Sequence, residues 1–202
     1  MIGSVNATRA PRRPGGRRRW TIAATVGGVA LVIWVAGLPL YVFPPVDDPP
    51  QRGERHAEVA FVIGPPTEER IAQAEALQDA GKVDAILISV PAEGEQSGEN
   101  LRVCSEPNVT CATPSPATTT GEASLLDDYS ADHPADSVIV ITFTPHVVRT
   151  RFIFERCYVG ETIVVASPTR LDLLEWVYQY AYQSAAFVKA AVWSCIDTRF
   201  AR

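Results

Sequence analysis

An apolar run from Trp20 to Phe43 contains no charged residue, and Arg9, Arg12, Arg13, Arg17, Arg18 and Arg19 precede it with no acidic residue among them. No other feature restricts this chain so strongly. A hydrocarbon core about 30 Å thick is crossed by roughly 20 apolar residues in a helix. The run is long enough, although Gly27, Gly28, Gly37 and Pro39 interrupt it. By the positive-inside rule the six arginines hold residues 1–19 in the cytoplasm, with Trp20, Trp34, Tyr41 and Phe43 as interfacial anchors. Everything after Pro44 is then expected on the far side. The alternative is a cleaved signal peptide ending near Val35-Ala36-Gly37. Such a peptide needs an apolar core of only about 7 to 15 residues, so the longer run favours an uncleaved anchor.

The chain has 202 residues and a net charge of −5; setting aside the six N-terminal arginines leaves −11 on the remainder. That balance argues against a nucleic-acid partner, which calls for a basic patch, and fits a soluble, self-repelling surface. Cys104, Cys111, Cys157 and Cys195 all follow the apolar run, where an oxidising compartment permits disulfides. Loop lengths favour Cys104 with Cys111 and Cys157 with Cys195. A zinc site is the alternative, but there is no C-x-x-C pair and the three histidines are not spaced as partners.

Residues 44–56, with Pro44, Pro45, Pro49 and Pro50, read as a stiff spacer that lifts the following domain off the membrane. Beyond it, short β-branched runs alternate with helical spacing. EVAFVIG (58–64), VDAILISV (83–90), SVIVITFT (137–144) and ETIVVAS (161–167) read as strands. Helices are predicted over 67–80 with Thr67 as N-cap and Gly81 as stop, over 120–131, from about 145 or 146 to 157, and over 171–193. Residues 91–116 read as a long loop with one short strand near 109–112. Near-continuous apolar strands between helices imply a Rossmann-like three-layer α/β sandwich with a mostly parallel sheet, preceded by one N-terminal transmembrane helix. The expected division is a basic cytoplasmic tail (1–19), the span (20–43), the spacer (44–56) and the α/β domain (57–202).

In open parallel sheets ligands bind at the carboxyl ends of the strands. At that edge the sequence puts Gly64-Pro65-Pro66-Thr67, Ser89, Thr118-Thr119-Thr120-Gly121-Glu122 and Thr142-Phe143-Thr144-Pro145-His146. His146 and Arg149 are three apart at a helix start, so they share one face of its first turn. Helix N–H groups, the dipole and an Arg fork suit a phosphate or carboxylate, and the dipole favours a neutral His146, able to act as a general base. The plainer alternatives stay open: His146 capping the helix, Arg149 bridging to an acidic neighbour, Glu122 merely stabilising a helix dipole, and Arg70 simply solvated. There is no dinucleotide fingerprint, P-loop, nucleophile elbow or metal-spaced cluster, so neither a cofactor nor a metal is expected.

VAFVIG followed by Arg70, LIS ending the second strand, T-x-E at Thr120-Gly121-Glu122, and VIVITFTPHVVRTRFIFER together resemble the YdcF-like family, which includes SanA and ElyC. The H-x-x-R of His146 and Arg149 after a strand ending in Thr142 is the most specific part, and the resemblance covers residues 57–190. It implies a membrane-anchored extracytoplasmic protein of the bacterial cell envelope with a role in envelope biogenesis or barrier integrity, through an anionic, phosphorylated intermediate. It also implies that Gly64, Arg70, Ser89, Thr120, Glu122, Thr142, His146 and Arg149 line one pocket. His146 or Glu122 would transfer protons there, and Arg149 and Arg70 would hold the anion. The chain departs from the family where glycines are replaced by Pro65, Pro66, Val90 and Pro91, and where Ala123 follows Glu122. A non-catalytic binding module and a structural protein with a degenerate pocket are the competing expectations.

Overall fold

The computed structural model describes residues 16–48, 56–192 and Cys195. Most of the basic tail, the second half of the spacer and the extreme C-terminus lie outside the described residues. The chain divides into two units, Met1–Leu38 and Pro39–Arg202. The first holds helix α1 (Gly16–Ala36), whose apolar side chains are exposed all round: Val32, Ile33, Trp34 and Val35 occupy successive positions about 100° apart and all stand in the open. A helix apolar on every side matches a lipid environment. Pro39 lacks the N–H that would continue the helical ladder, and α1 gives way to the short helix α2 (Leu38–Val42). The segment Arg19–Val42, 24 residues whose most apolar 18-residue stretch has a mean hydropathy of 2.1, is long and apolar enough to cross a membrane.

The second unit is an α/β domain. Five strands, β1 (Val59–Val62), β2 (Ala85–Ser89), β3 (Val109–Ala112), β4 (Ser137–Phe143) and β5 (Glu161–Ser167), form one sheet in the order β3-β2-β1-β4-β5. Every pairing is parallel. The three central strands are apolar at nearly every position because both faces are covered. Val59, Phe61, Leu87, Val138 and Val140 pack with Ala123 and Leu126 of α4 (Thr119–Asp132) and Ile153 and Phe154 of α5 (Val147–Cys157). The alternate residues Ala60, Val62, Ile86, Ile88, Ile139 and Ile141 pack with Ala74 and Leu77 of α3 (Glu68–Asp79). Helix α6 (Leu173–Val192) packs beside α5. From β1 the chain crosses toward β2, from β4 toward β5. The carboxyl ends of β1 and β4 therefore flank the point where the crossovers diverge.

Local signals placed most boundaries. Thr67 is the extended residue before α3, and Gly81 takes φ +65° just beyond it, a left-handed conformation that glycine adopts without steric cost. The strand expected inside the cysteine-bearing loop is β3. Helix α4 starts one residue earlier than its expected first residue, Thr120, because Thr118 caps it by accepting the Gly121 N–H at 3.2 Å.

The cysteines pair as Cys104–Cys111 and Cys157–Cys195, with Cα separations of 5.6 and 5.4 Å. All four sulfurs are consumed, which leaves no thiolate for zinc. The first bridge staples β3, and the second ties the end of α5 to the chain beyond α6. Loop-closure entropy makes the second the stronger constraint, about 4 kcal/mol for its 38-residue separation.

The spacer differs from expectation in the half that is described. Asp47 donates its backbone N–H to Val164 O at 3.0 Å and accepts the Val164 N–H on its carboxylate at 2.8 Å. Arg151 clamps the same carboxylate at 2.9 Å and the Pro45 carbonyl at 2.7 Å. These residues lie along β5 and α5 and do not stand free.

Candidate functional site

Helix α4 presents Thr119 and Glu122 on one face of its first turn, and the turn from β4 into α5 presents His146 and Arg149 in the same way, three residues apart. The two pairs meet at the Thr119 hydroxyl. Arg149 donates an Nη1 hydrogen to Thr119 Oγ1 at 3.1 Å, and the same oxygen lies 3.3 Å from His146 Nε2. On its other side, His146 Nδ1 lies 3.0 Å from Thr142 Oγ1 at the end of β4. Since Thr119 Oγ1 already accepts from Arg149, its own proton is available to Nε2. We therefore assign the Nδ1–H tautomer, with His146 donating to Thr142. Burial, reinforced by Arg149 and Arg70, holds the imidazole well below its ordinary titration range, so His146 is neutral. It makes no side-chain cap bond to α5.

Glu122 lies on the other flank. Its Oε1 accepts the Gly64 N–H at 2.7 Å, and the Ser89 hydroxyl bonds to the same carboxyl group. A Cβ at Gly64 would stand 3.1 Å from Ser89 O and 3.3 Å from that carboxylate oxygen, so close backbone approach is what fits this glycine here. Burial pushes the Glu122 pKa up to about 7, against the pull of the Gly64 and Ser89 hydrogen bonds and of Arg149 and Arg70. The group can hold or release a proton near neutrality.

Arg70 closes the cluster from α3. The expectation that a lone arginine one turn into this helix is solvated does not hold, since it is 6 % exposed. Its Nη1 donates to the carbonyls of Ile63 and Pro65, both at 3.0 Å, and its guanidinium lies 5.0 Å from the centre of the Phe143 ring. Its Nε is buried without a hydrogen-bond partner among the described residues. Arg149 also departs from the plain alternative of an acidic bridge. Its Nε donates to Gln183 Oε1 at 2.9 Å, and its guanidinium lies 5.9 Å from the Tyr182 ring centre. Burial lowers the pKa of both guanidiniums, but neither approaches neutrality in a protein.

Of the residues singled out from sequence, Gly64, Arg70, Ser89, Glu122, Thr142, His146 and Arg149 fall together at the carboxyl ends of β1, β2 and β4. Thr120 does not share their bonding: its hydroxyl lies 3.0 Å from that of Thr118. Thr119 stands in its place, and Gln183 of α6 was not anticipated. The i,i+3 relation between Thr119 and Glu122 was readable once the helix start was set at Thr118; nothing local marks Gln183.

Two guanidiniums, one carboxyl group with a pKa near 7 and a neutral imidazole give the cluster a net positive charge, inside a chain that is −11 beyond its arginine-rich start. The arrangement can attract an anion and exchange a proton with it. No family model, no curated protein and no solved structure matches this chain.

Proposed function

We propose that this is a membrane-anchored, extracytoplasmic member of the YdcF-like (SanA and ElyC) family with a Rossmann-like domain, acting on an anionic, phosphorylated intermediate of the bacterial cell envelope. The strand order and the divergence of crossovers beside β1 and β4 support the doubly wound assignment. The positive cluster at that divergence carries the functional reading. Arg149 and the unspent Nε of Arg70 supply donors for phosphate oxygens. Glu122 is the better candidate for moving a proton, because its pKa is near 7, whereas both His146 nitrogens are engaged by threonines. His146 orients Thr119 and, through it, Arg149. The N-terminal apolar helix and the two disulfides support an extracytoplasmic domain.

A specific observation favours a second reading, a binding module without turnover. The Gly64 N–H and the Ser89 hydroxyl, which would otherwise face an incoming oxyanion, are already held by Glu122. Incubation of the purified full-length protein with a polyprenyl phosphate and with phosphorylated glycan precursors separates the two. Arg149→Ala is expected to weaken binding by about 10- to 100-fold, the value of a charge-assisted contact. Glu122→Gln is expected to keep binding and abolish turnover if the protein is an enzyme. Wild-type binding with no product supports the module, and equal affinity of wild type and Arg149→Ala contradicts both.

A further inference from the structure

Helix α6 presents an apolar face that the other described residues do not cover. Leu173 and Leu174 are each 79 % exposed and Val192 is 76 % exposed, and Val177, Tyr178 and Val188 lie open between them. At about 100° per residue these positions, with Ala181 and Ala185, fill a contiguous arc of roughly 140°. No charged residue falls inside that arc. Lys189, Tyr182 and Glu175 lie along one edge of it. The opposite face is anchored in the domain through Tyr180 and Gln183, the latter bonded to both Arg149 and Gln179. A helix held on that side by buried polar contacts is not a second membrane span.

What covers this face is indicated by the chain's own path. Tyr41, in the last turn of the apolar N-terminal segment, packs edge-on against Tyr180 of α6, ring centres 5.2 Å apart at 75°. Leu40 and Phe43 beside it are exposed, and Asp47 and Arg151 then bind the following residues to β5 and α5. Within the α/β unit, Tyr41 and the residues that follow it are thus held against α6, β5 and α5. Tyrosines and a lysine at the rim of an apolar surface are the chemistry of the lipid headgroup boundary, where rings sit at the interface and a lysine stem lies along it with its charge in water.

We propose that α6 lies along the outer surface of the bilayer with the face from Leu173 to Val192 immersed in the interface, so that the domain rests on the membrane. The apolar face is the larger part of such a helix's affinity, and here the adjacent anchor supplies the rest by raising the local concentration of membrane. The proposal depends on the N-terminal segment spanning the bilayer, and the experiment reads the two separately. Full-length protein carrying Val177→Cys, Val188→Cys or, as a control on the opposite side of the sheet, Ala72→Cys is labelled with an environment-sensitive fluorophore. It is then reconstituted into phosphatidylglycerol-containing vesicles with a spin-labelled lipid as quencher. Flotation with the vesicles reports the anchor. Labels at 177 and 188 are expected to be quenched several-fold more than the label at 72. Equal quenching at all three sites in protein that floats overturns the proposal while leaving the anchor intact. Labels at 177 and 188 that are shielded from water, unquenched by lipid and self-quenching between molecules overturn it in favour of a second copy of the chain. Protein that does not float overturns the anchor, and the proposal with it.

Discussion

Gly121→Ala is expected to destabilise the domain by about 3 kcal/mol, a fall of roughly 10 °C in melting temperature, and to remove ligand binding with it. A Cβ at this position would overlap Pro116 O and stand 3.0 Å from Pro116 C, and both are backbone atoms that no rotamer change can clear. Relief requires moving either the turn at Pro116 or the first turn of α4. That turn carries Thr119 and Glu122, so strain there separates the hydroxyl from His146 and Arg149 and the carboxyl from Gly64. Thr120→Ala, one residue away, is the matched control. It removes only a contact with Thr118 and is expected to stay within about 0.5 kcal/mol of wild type. Thermal unfolding of the three full-length proteins in one detergent checks both. Equal melting of Gly121→Ala and Thr120→Ala would show that the helix start is placed wrongly.

The second large effect is an opposed pair of pH dependences. Glu122 has its folded pKa raised from the usual 4.5 to about 7. Between these values the folded protein keeps a proton that the unfolded chain has released. The associated stability is therefore complete below pH 4.5 and lost as pH rises through 7, a change on the order of 3 kcal/mol. His146 has its folded pKa held well below 6.5. Its contribution is complete above pH 6.5 and is lost as pH falls, because the unfolded chain then takes up a proton that the folded one refuses. Glu122→Gln should therefore gain on wild type as pH is raised from 5 to 8. His146→Gln should gain on wild type as pH is lowered from 7 to 5. Urea unfolding across that range, read as differences from wild type, checks both signs. Parallel curves for all three proteins would mean that neither group is buried as described.

The central strands were legible in the sequence because they are buried on both faces: VAFV, AILIS and SVIVITF are apolar almost without interruption, and no helical period competes. The pairing of His146 with Arg149 was legible for a local reason, a three-residue spacing after a strand. The rest depended on partners far along the chain or on backbone atoms that carry no side-chain signature. Arg70 is buried by two carbonyls of the turn after β1 and by the ring of Phe143. Gln183 reaches Arg149 across 34 residues, and Asp47 reaches Val164 across 117, so neither the site's contact with α6 nor the docking of the spacer had a local signal. Thr120 is the threonine of the T-x-E motif and the expected helix start, but the helix begins at Thr119, and a shift of one residue turns a helix face by about 100°.

The account depends above all on which side of a bilayer the α/β domain occupies. Limited proteolysis of spheroplasts from a bacterial host expressing the intact chain, followed with an antibody to the C-terminal domain, tests this directly. Domain that is degraded by externally added protease, and that migrates faster unreduced than reduced, is the expected result. Domain that survives until the membrane is permeabilised, with all four cysteines open to alkylation, would contradict it.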